Sequence, residues 1–141
     1  MQSKLNPYIN FNGTTRDAME FYKSVFGGNL EISSFKENGL DAQFPDEGDK
    51  IMHAMLEADN GITFMAADTP SSMPYNPGTN ISLSLSGFDT AELSGYFEKL
   101  STGGTIVEPL TEAPWGDTFG MLTDQFGINW MVNIGKAKDQ E

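Results

Sequence analysis

The feature that most constrains this chain is an internal duplication. Displaced by 75 residues, Ala18, Phe21, Tyr22 and Val25 fall on Leu93, Tyr96, Phe97 and Leu100, and Gly28 falls on Gly103. Displaced by 66, Gly61-Ile62-Thr63-Phe64-Met65 falls on Gly127-Ile128-Asn129-Trp130-Met131. The change of offset places extra residues in the first half, where a longer acidic loop accounts for them. Each half reads as a strand, a helix and three strands. A unit this short cannot close a core alone, so the two are expected to pack together as one domain over residues 1–141, with repeat one at about 4–68 and repeat two at about 79–134.

The elements follow from residue periodicity. Leu5 to Asn12 reads as a first strand, with Pro7 near its start, where a missing donor is tolerated. Arg16 to Phe26 is the clearest helix, with Ala18, Phe21, Tyr22 and Val25 on one face, Thr14 or Thr15 available to cap it and Gly27-Gly28 to end it. Leu30 to Lys36 alternates as a strand, and Glu37 to Asp49 is a polar, acidic loop. Ile51 to Ala58 and Ile62 to Ala67 form a hairpin around Asp59-Asn60-Gly61. Asp68 to Gly78 holds three prolines and reads as the connector between halves. Thr79 to Leu85 is a strand, Gly87 to Thr90 a turn, and Ala91 to Leu100 a second helix ended by Gly103-Gly104. Thr105 to Leu110 is a strand, and Lys136 to Glu141 a polar tail.

The stretch from Trp115 to Trp130 holds both tryptophans. Thr118 to Thr123 alternates between large apolar and small or polar residues, Asp124 to Gly127 is turn chemistry, and Ile128 to Ile134 resumes an apolar run. Aromatics on paired strands either fill a core or line a pocket. Core packing suits Trp130, in the middle of an apolar strand; Trp115, beside Pro114 and Gly116, suits either role. Trp115, Phe119 and Trp130 are nevertheless all candidate stacking surfaces for a ring or a cation, each worth about 0.5–2 kcal/mol. Asp117 can pair with a cationic ligand or cap its own turn. Met52, Met55, Met65, Met73 and Met121 can line an adaptable pocket or fill a core.

Composition limits the chemistry. There are no cysteines, which excludes disulfides, thiolate metal sites and cysteine nucleophiles. Acids outnumber bases 20 to 8, and the resulting charge of −12 repels phosphate backbones, so nucleic acid is not an expected partner, whereas a cationic ligand would be attracted. The residues from Met1 to Pro7 lack an apolar h-region and no run approaches the ~20 apolar residues of a membrane span; a cytoplasmic protein that does not bind membranes is expected. No G-x-S-x-G, P-loop or dinucleotide glycine motif occurs.

Pro7-Tyr8-Ile9-Asn10-Phe11-Asn12-Gly13, the segment from Ala18 through Phe21-Tyr22 to Phe26-Gly27, His53-Ala54-Met55-Leu56, Trp115-Gly116-Asp117-Thr118-Phe119-Gly120 and Asp124-Gln125-Phe126-Gly127-Ile128-Asn129-Trp130 carry a resemblance. On these the chain resembles the vicinal-oxygen-chelate superfamily (glyoxalase I, extradiol dioxygenases, bleomycin-resistance proteins), and in particular its PhnB-like, demethylubiquinone-methyltransferase-like branch. The resemblance implies an α+β fold of two βαβββ repeats forming curved mixed sheets of the glyoxalase/bleomycin-resistance type, and a homodimer. It also implies that any metal ligands, as His, Gln or Glu, come from the first and fourth strands of each repeat. Those strands offer Asn6, Asn10, Thr63, Asn80, Ser82, Ser84, Asn129 and Asn133, a set of neutral amides and hydroxyls that binds divalent ions poorly. Neither a metal nor another cofactor is therefore expected. The methyltransferase label gains no support, because no strand leads into a glycine-rich loop suited to S-adenosylmethionine.

His53 is the only histidine and sits in the H-A-x-L position of the resemblance; it is either a structural strand residue or a pocket residue. The leading expectation is a small-molecule-binding protein of this fold, without the usual metal ligands, contacting a cationic or aromatic ligand through His53, Trp115, Asp117, Phe119, Met121 and Trp130. The alternative is a glyoxalase- or dioxygenase-like metal-dependent lyase or oxidoreductase. A third reading is a fold without an active pocket that works through its dimer surface.

Overall fold

The computed structural model describes residues 3–59 and 61–136. The chain divides into two compact units, Met1–Pro77 and Gly78–Glu141. Each unit is a βαβββ module, the order read from the duplication and the α+β class that the resemblance implies.

The first unit runs β1 (Tyr8–Phe11), α1 (Thr15–Phe26), β2 (Asn29–Ser34), β3 (Ile51–Glu57) and β4 (Thr63–Asp68). Its sheet has the order β1-β4-β3-β2, with β1 parallel to β4 and the other pairs antiparallel. Alternation sends Ala54, Leu56, Phe64 and Ala66 to one face, where α1 covers them with Ala18, Met19, Tyr22, Val25 and Phe26. Tyr22 and Phe26 both meet the edge of the Phe64 ring, at centroid distances of 5.3 and 6.1 Å. The second unit runs β5 (Leu83–Gly87), α2 (Thr90–Leu100), β6 (Thr105–Glu112), β7 (Thr118–Thr123) and β8 (Asn129–Ile134), in sheet order β5-β8-β7-β6. Leu93, Phe97 and Leu100 of α2 are buried on the same side as Leu122, Trp130 and Val132.

The repeat is visible in the backbone bonds. The Ala58 N–H donates to Ile62 O at 2.7 Å, and 66 residues on the Asp124 N–H donates to Ile128 O at 2.9 Å. Gly61 (φ 86°) and Gly127 (φ 87°) turn the two hairpins; Asn60, the other half of the expected turn signal, lies outside the described residues. At the helix exits the pairing shifts by one from that expected. A Cβ on Gly28 would lie 2.2 Å from Glu57 O, and one on Gly104, not Gly103, would lie 2.3 Å from Thr123 O. In each unit the second glycine of the pair therefore lets the helix exit pass against the backbone of the adjacent hairpin.

Several boundaries differ from the sequence expectation. β1 begins at Tyr8 rather than Leu5, which is 98% exposed. β5 spans Leu83–Gly87 rather than Thr79 to Leu85, so Asn80 and Ser82 precede it. β4 includes Asp68, and this residue explains the start of α1. Thr14 occupies the N-cap position but its side chain makes no capping bond. Instead the buried Asp68 carboxylate, from the far end of the module, accepts the N–H groups of Gly13 (3.0 Å), Thr15 (3.1 Å) and Ile51 (2.9 Å). A local cap is replaced by a tertiary one.

The acidic loop is built rather than loose. Phe35 and Phe44 stack at 4.8 Å. Glu47 is nearly buried and accepts bonds from Lys50 Nζ (2.8 Å), Ser71 N (2.7 Å) and Ser71 Oγ (3.0 Å). The Lys50 ammonium, then the Ser71 N–H, hold its carboxyl below the usual glutamate value. Glu37 is lowered likewise, first by the Ser34 N–H and then by the Ser34 hydroxyl.

Candidate functional site

In each unit one sheet face is covered by the helix, so the chemistry must be sought on the other. In the second unit, register places Phe119 opposite Asn133, Met121 opposite Met131 and Thr123 opposite Asn129, all half-buried on the face away from α2. The loop entering β7 is closed by Ala113 N–H to Asp117 O (2.7 Å) and Gly116 N–H to Ala113 O (2.9 Å). This turn raises Trp115, 63% exposed, edge-on to Phe119 with ring centroids 6.0 Å apart. Asp117 caps its turn only through its backbone carbonyl. Its carboxylate accepts the Asn133 Nδ2 amide at 3.0 Å, and this bond fixes both groups beside the aromatic pair. Four of the six expected contact residues, Trp115, Asp117, Phe119 and Met121, thus gather at one end of one sheet.

Trp130 does not join them. It is 2% exposed on the helix side, and its Nε1–H donates to Asp124 Oδ2 at 2.8 Å. The period of a strand decides this: with Met131 facing outward, Trp130 must face α2. A buried indole needs an acceptor, and Asp124, which also receives the N–H groups of Phe126 and Ile128, supplies it.

His53 belongs to the first unit, on β3, opposite Ser33 and on the face away from α1. Its ring is tilted against Tyr8 at 6.3 Å, and the Ser33 hydroxyl accepts the Asn38 amide at 3.0 Å. Met55 lies two residues along the same face, opposite Met65. Tyr8 and Met131 were missed as candidates, and Asn133 was weighed only as a metal donor. Alternation along each strand carried part of the signal, but only the register between strands brings these residues beside His53, Met121 and Asp117.

The donor set on the strands expected to hold a metal can now be tested against an ion. On the face away from the helix they present Tyr8, Asn10, Thr63 and Met65 in the first unit, and Ser84, Ser86, Asn129, Met131 and Asn133 in the second. Asp68, the one acid gained by β4, is turned inward and taken up by three N–H groups. Among the described residues no three His, Cys, Asp or Glu side chains come together. Amides, hydroxyls and thioethers of this kind do not fit a hard or borderline divalent ion. What each face offers is apolar contact with a few fixed polar groups. Among the described residues no helix is long and apolar enough to cross a membrane.

Comparison with known proteins agrees with this architecture. The model of the glyoxalase/bleomycin resistance protein/dioxygenase superfamily matches residues 4–132. Protein YjdN of Escherichia coli is 31% identical over 146 aligned positions, covering 95% of this chain and 97% of its own. A Pseudomonas aeruginosa protein of known crystal structure is 36% identical, with a TM-score of 0.82 over 96% of this chain and 100% of its own. A PhnB protein of Bacillus cereus is 29% identical, with a TM-score of 0.75 over 94% of this chain and 100% of its own.

Proposed function

Because this chain belongs to the glyoxalase/bleomycin resistance protein/dioxygenase superfamily, we propose that it is a small-molecule-binding member of that fold which acts without the family's metal ligands. Its ligand is a cationic or aromatic small molecule. The observation that carries the reading is Trp115, a largely exposed indole held edge-on to Phe119 beside the Asp117 carboxylate and Met121. The exposed indole is not solitary: with the Phe119 ring against it, it presents an apolar patch that a ligand can cover. A flat ring can stack on Trp115, a cation can gain from the indole face and from Asp117, and the thioether of Met121 adapts to either. In the first unit His53 and Tyr8 offer a second pair of ring contacts.

Titration of tryptophan fluorescence with a panel of aromatic and quaternary ammonium compounds tests this. Trp130 is buried and hydrogen-bonded, so a ligand at the site changes the Trp115 emission, and W115F abolishes the change. F119A weakens binding about three- to tenfold, as loss of one aromatic contact requires. A panel that binds W115A and F119A as tightly as the native protein would place the ligand elsewhere.

The second reading, a glyoxalase- or dioxygenase-like metal-dependent enzyme, is favoured by the superfamily itself. Stoichiometric nickel, zinc, manganese or iron(II) in the purified protein, with a thermal shift lost on chelation, would establish it in place of the first. We further propose that the chain forms a homodimer, by its likeness to the superfamily.

A further inference from the structure

The duplication extends to the methionines of the two sheets. At the offset of 66, Met55 corresponds to Met121 and Met65 to Met131. Met55 lies directly opposite Met65, and Met121 directly opposite Met131, so both sheets carry a methionine pair at the same place on the face away from the helix. The next strand outward adds an acid in each case: Glu31 is in register with Met55 and Glu108 with Met121. On the other side the rows end differently, at Tyr8 opposite Met65 and Ser84 opposite Met131. Neighbouring positions diverge between the repeats, with His53 against Phe119 and Ala67 against Asn133, while the methionine pairs are kept; Glu31 and Glu108 correspond by strand register and by neither sequence offset.

The row has a physical logic. Each methionine is half-buried and each glutamate exposed, and the backbone of β6 is bulged on both sides of Glu108 while still setting it opposite Met121. Directly opposed residues have Cβ atoms about 5 Å apart, so the two thioethers form one continuous soft, polarizable strip. A carboxylate at the end of such a strip gives it a sign. The complement is a molecule that is flat and apolar over most of its area and positively charged at one edge. The chain's charge of −12 favours the same sign of ligand.

We propose that both modules, not the second alone, are ligand faces, and that each takes a planar aromatic cation across its Glu-Met-Met row. This rests on the small-molecule reading above and extends it to the first unit, with Tyr8 and His53 in place of Trp115 and Phe119.

The test uses the intact chain labelled at its methionine methyl groups with carbon-13 and titrated with ethidium, a planar aromatic cation, while calorimetry counts the bound dye. The expected result is one equivalent for each sheet and movement of the Met55, Met65, Met121 and Met131 signals, assigned by single Met→Leu variants. Met19, on the buried face of α1, and Met73, in the connector, stay in place. E31Q and E108Q each weaken one class of site roughly two- to fivefold, as loss of a solvent-facing charge contact does. The anionic dye anilinonaphthalene sulfonate leaves the four signals unmoved. Movement confined to Met121 and Met131, with a single equivalent, overturns the two-face inference and leaves the Trp115 site standing. Equal movement with the anionic dye overturns the cation preference. If none of the four moves while Trp115 emission still responds, the rows are not ligand faces; if neither responds to any compound of the fluorescence panel, the binding reading fails with them.

Discussion

Asp68 ties together three segments of the first unit. It is buried, and its two oxygens take three N–H groups from three different segments: the loop before α1, the first residue of that helix and the start of β3. D68A leaves those donors without partners and is expected to cost about 3 kcal/mol, read as a lower urea midpoint at unchanged slope. D68N keeps the shape but presents an NH2 where one oxygen accepted, and falls between the two. The tryptophans differ in the same terms. W130F removes the donor to Asp124 and part of a packed ring, for an expected loss of about 1–2 kcal/mol, whereas W115F changes stability by no more than about 0.5 kcal/mol. That contrast separates the core tryptophan from the candidate ligand contact by denaturation alone.

At the scale of elements, the joints decide more than the strands. Gly28, at φ 95°, and Gly104 sit where the helix exit presses on the next hairpin, with backbone oxygen closer than any Cβ tolerates. G28A and G104A are each expected to cost roughly 3 kcal/mol or more, with G28A the worse because it also meets a left-handed φ. G61A and G127A, where nothing crowds the added carbon, carry only the backbone strain, about 1 kcal/mol. The acidic loop is joined to the connector through Glu47, Lys50 and Ser71. Since the folded state lowers the Glu47 pKa, its carboxylate stabilises the fold above the unfolded value and stops doing so as pH falls through the lower, folded one. The stability difference between native protein and E47Q should therefore be full at neutral pH and shrink in acid, beginning below about pH 4. A difference that stays constant from neutral pH to pH 3 would mean that the contact is not ionic. Limited proteolysis of E47Q at neutral pH should cut first in the connector after Ser71.

For the whole molecule, superfamily membership gives a fold that hosts unrelated chemistries, so function has to be argued from the side chains on the two faces. The amides, hydroxyls and thioethers on the first and fourth strands of each unit, where the resemblance would set metal ligands, predict that dialysis against a chelator leaves the melting temperature and any ligand affinity unchanged. A homodimer predicts a sedimentation mass of twice the chain's 15.4 kDa at micromolar concentration; a monomer there would remove that proposal. With a charge of −12, association with a cationic ligand should slow as salt is added, and association with a neutral ring should not.

The duplication, both helices and the pairing of Ile51–Glu57 with Thr63–Asp68 were legible in the sequence, because apolar period and turn glycines are local properties of the chain. Ala18, Tyr22 and Val25 were legible on the inward face of α1, but Phe21 of the same set is only half-buried while Met19 and Phe26 are buried with them, and the sequence leaves the role of Trp115 open between core and pocket. Three things required the tertiary structure. Which way Trp130 faces depends on register, and a shift of one residue would have sent it outward. The partner of Thr15 at the start of α1 is Asp68, and no local spacing relates the two. The Glu-Met-Met rows cross three strands, with Glu31, Met55 and Met65 far apart along the chain, so nothing in the order of the residues marks them as one surface. Periodicity says which residues of a strand share a face; only pairing between strands says which faces meet in a row.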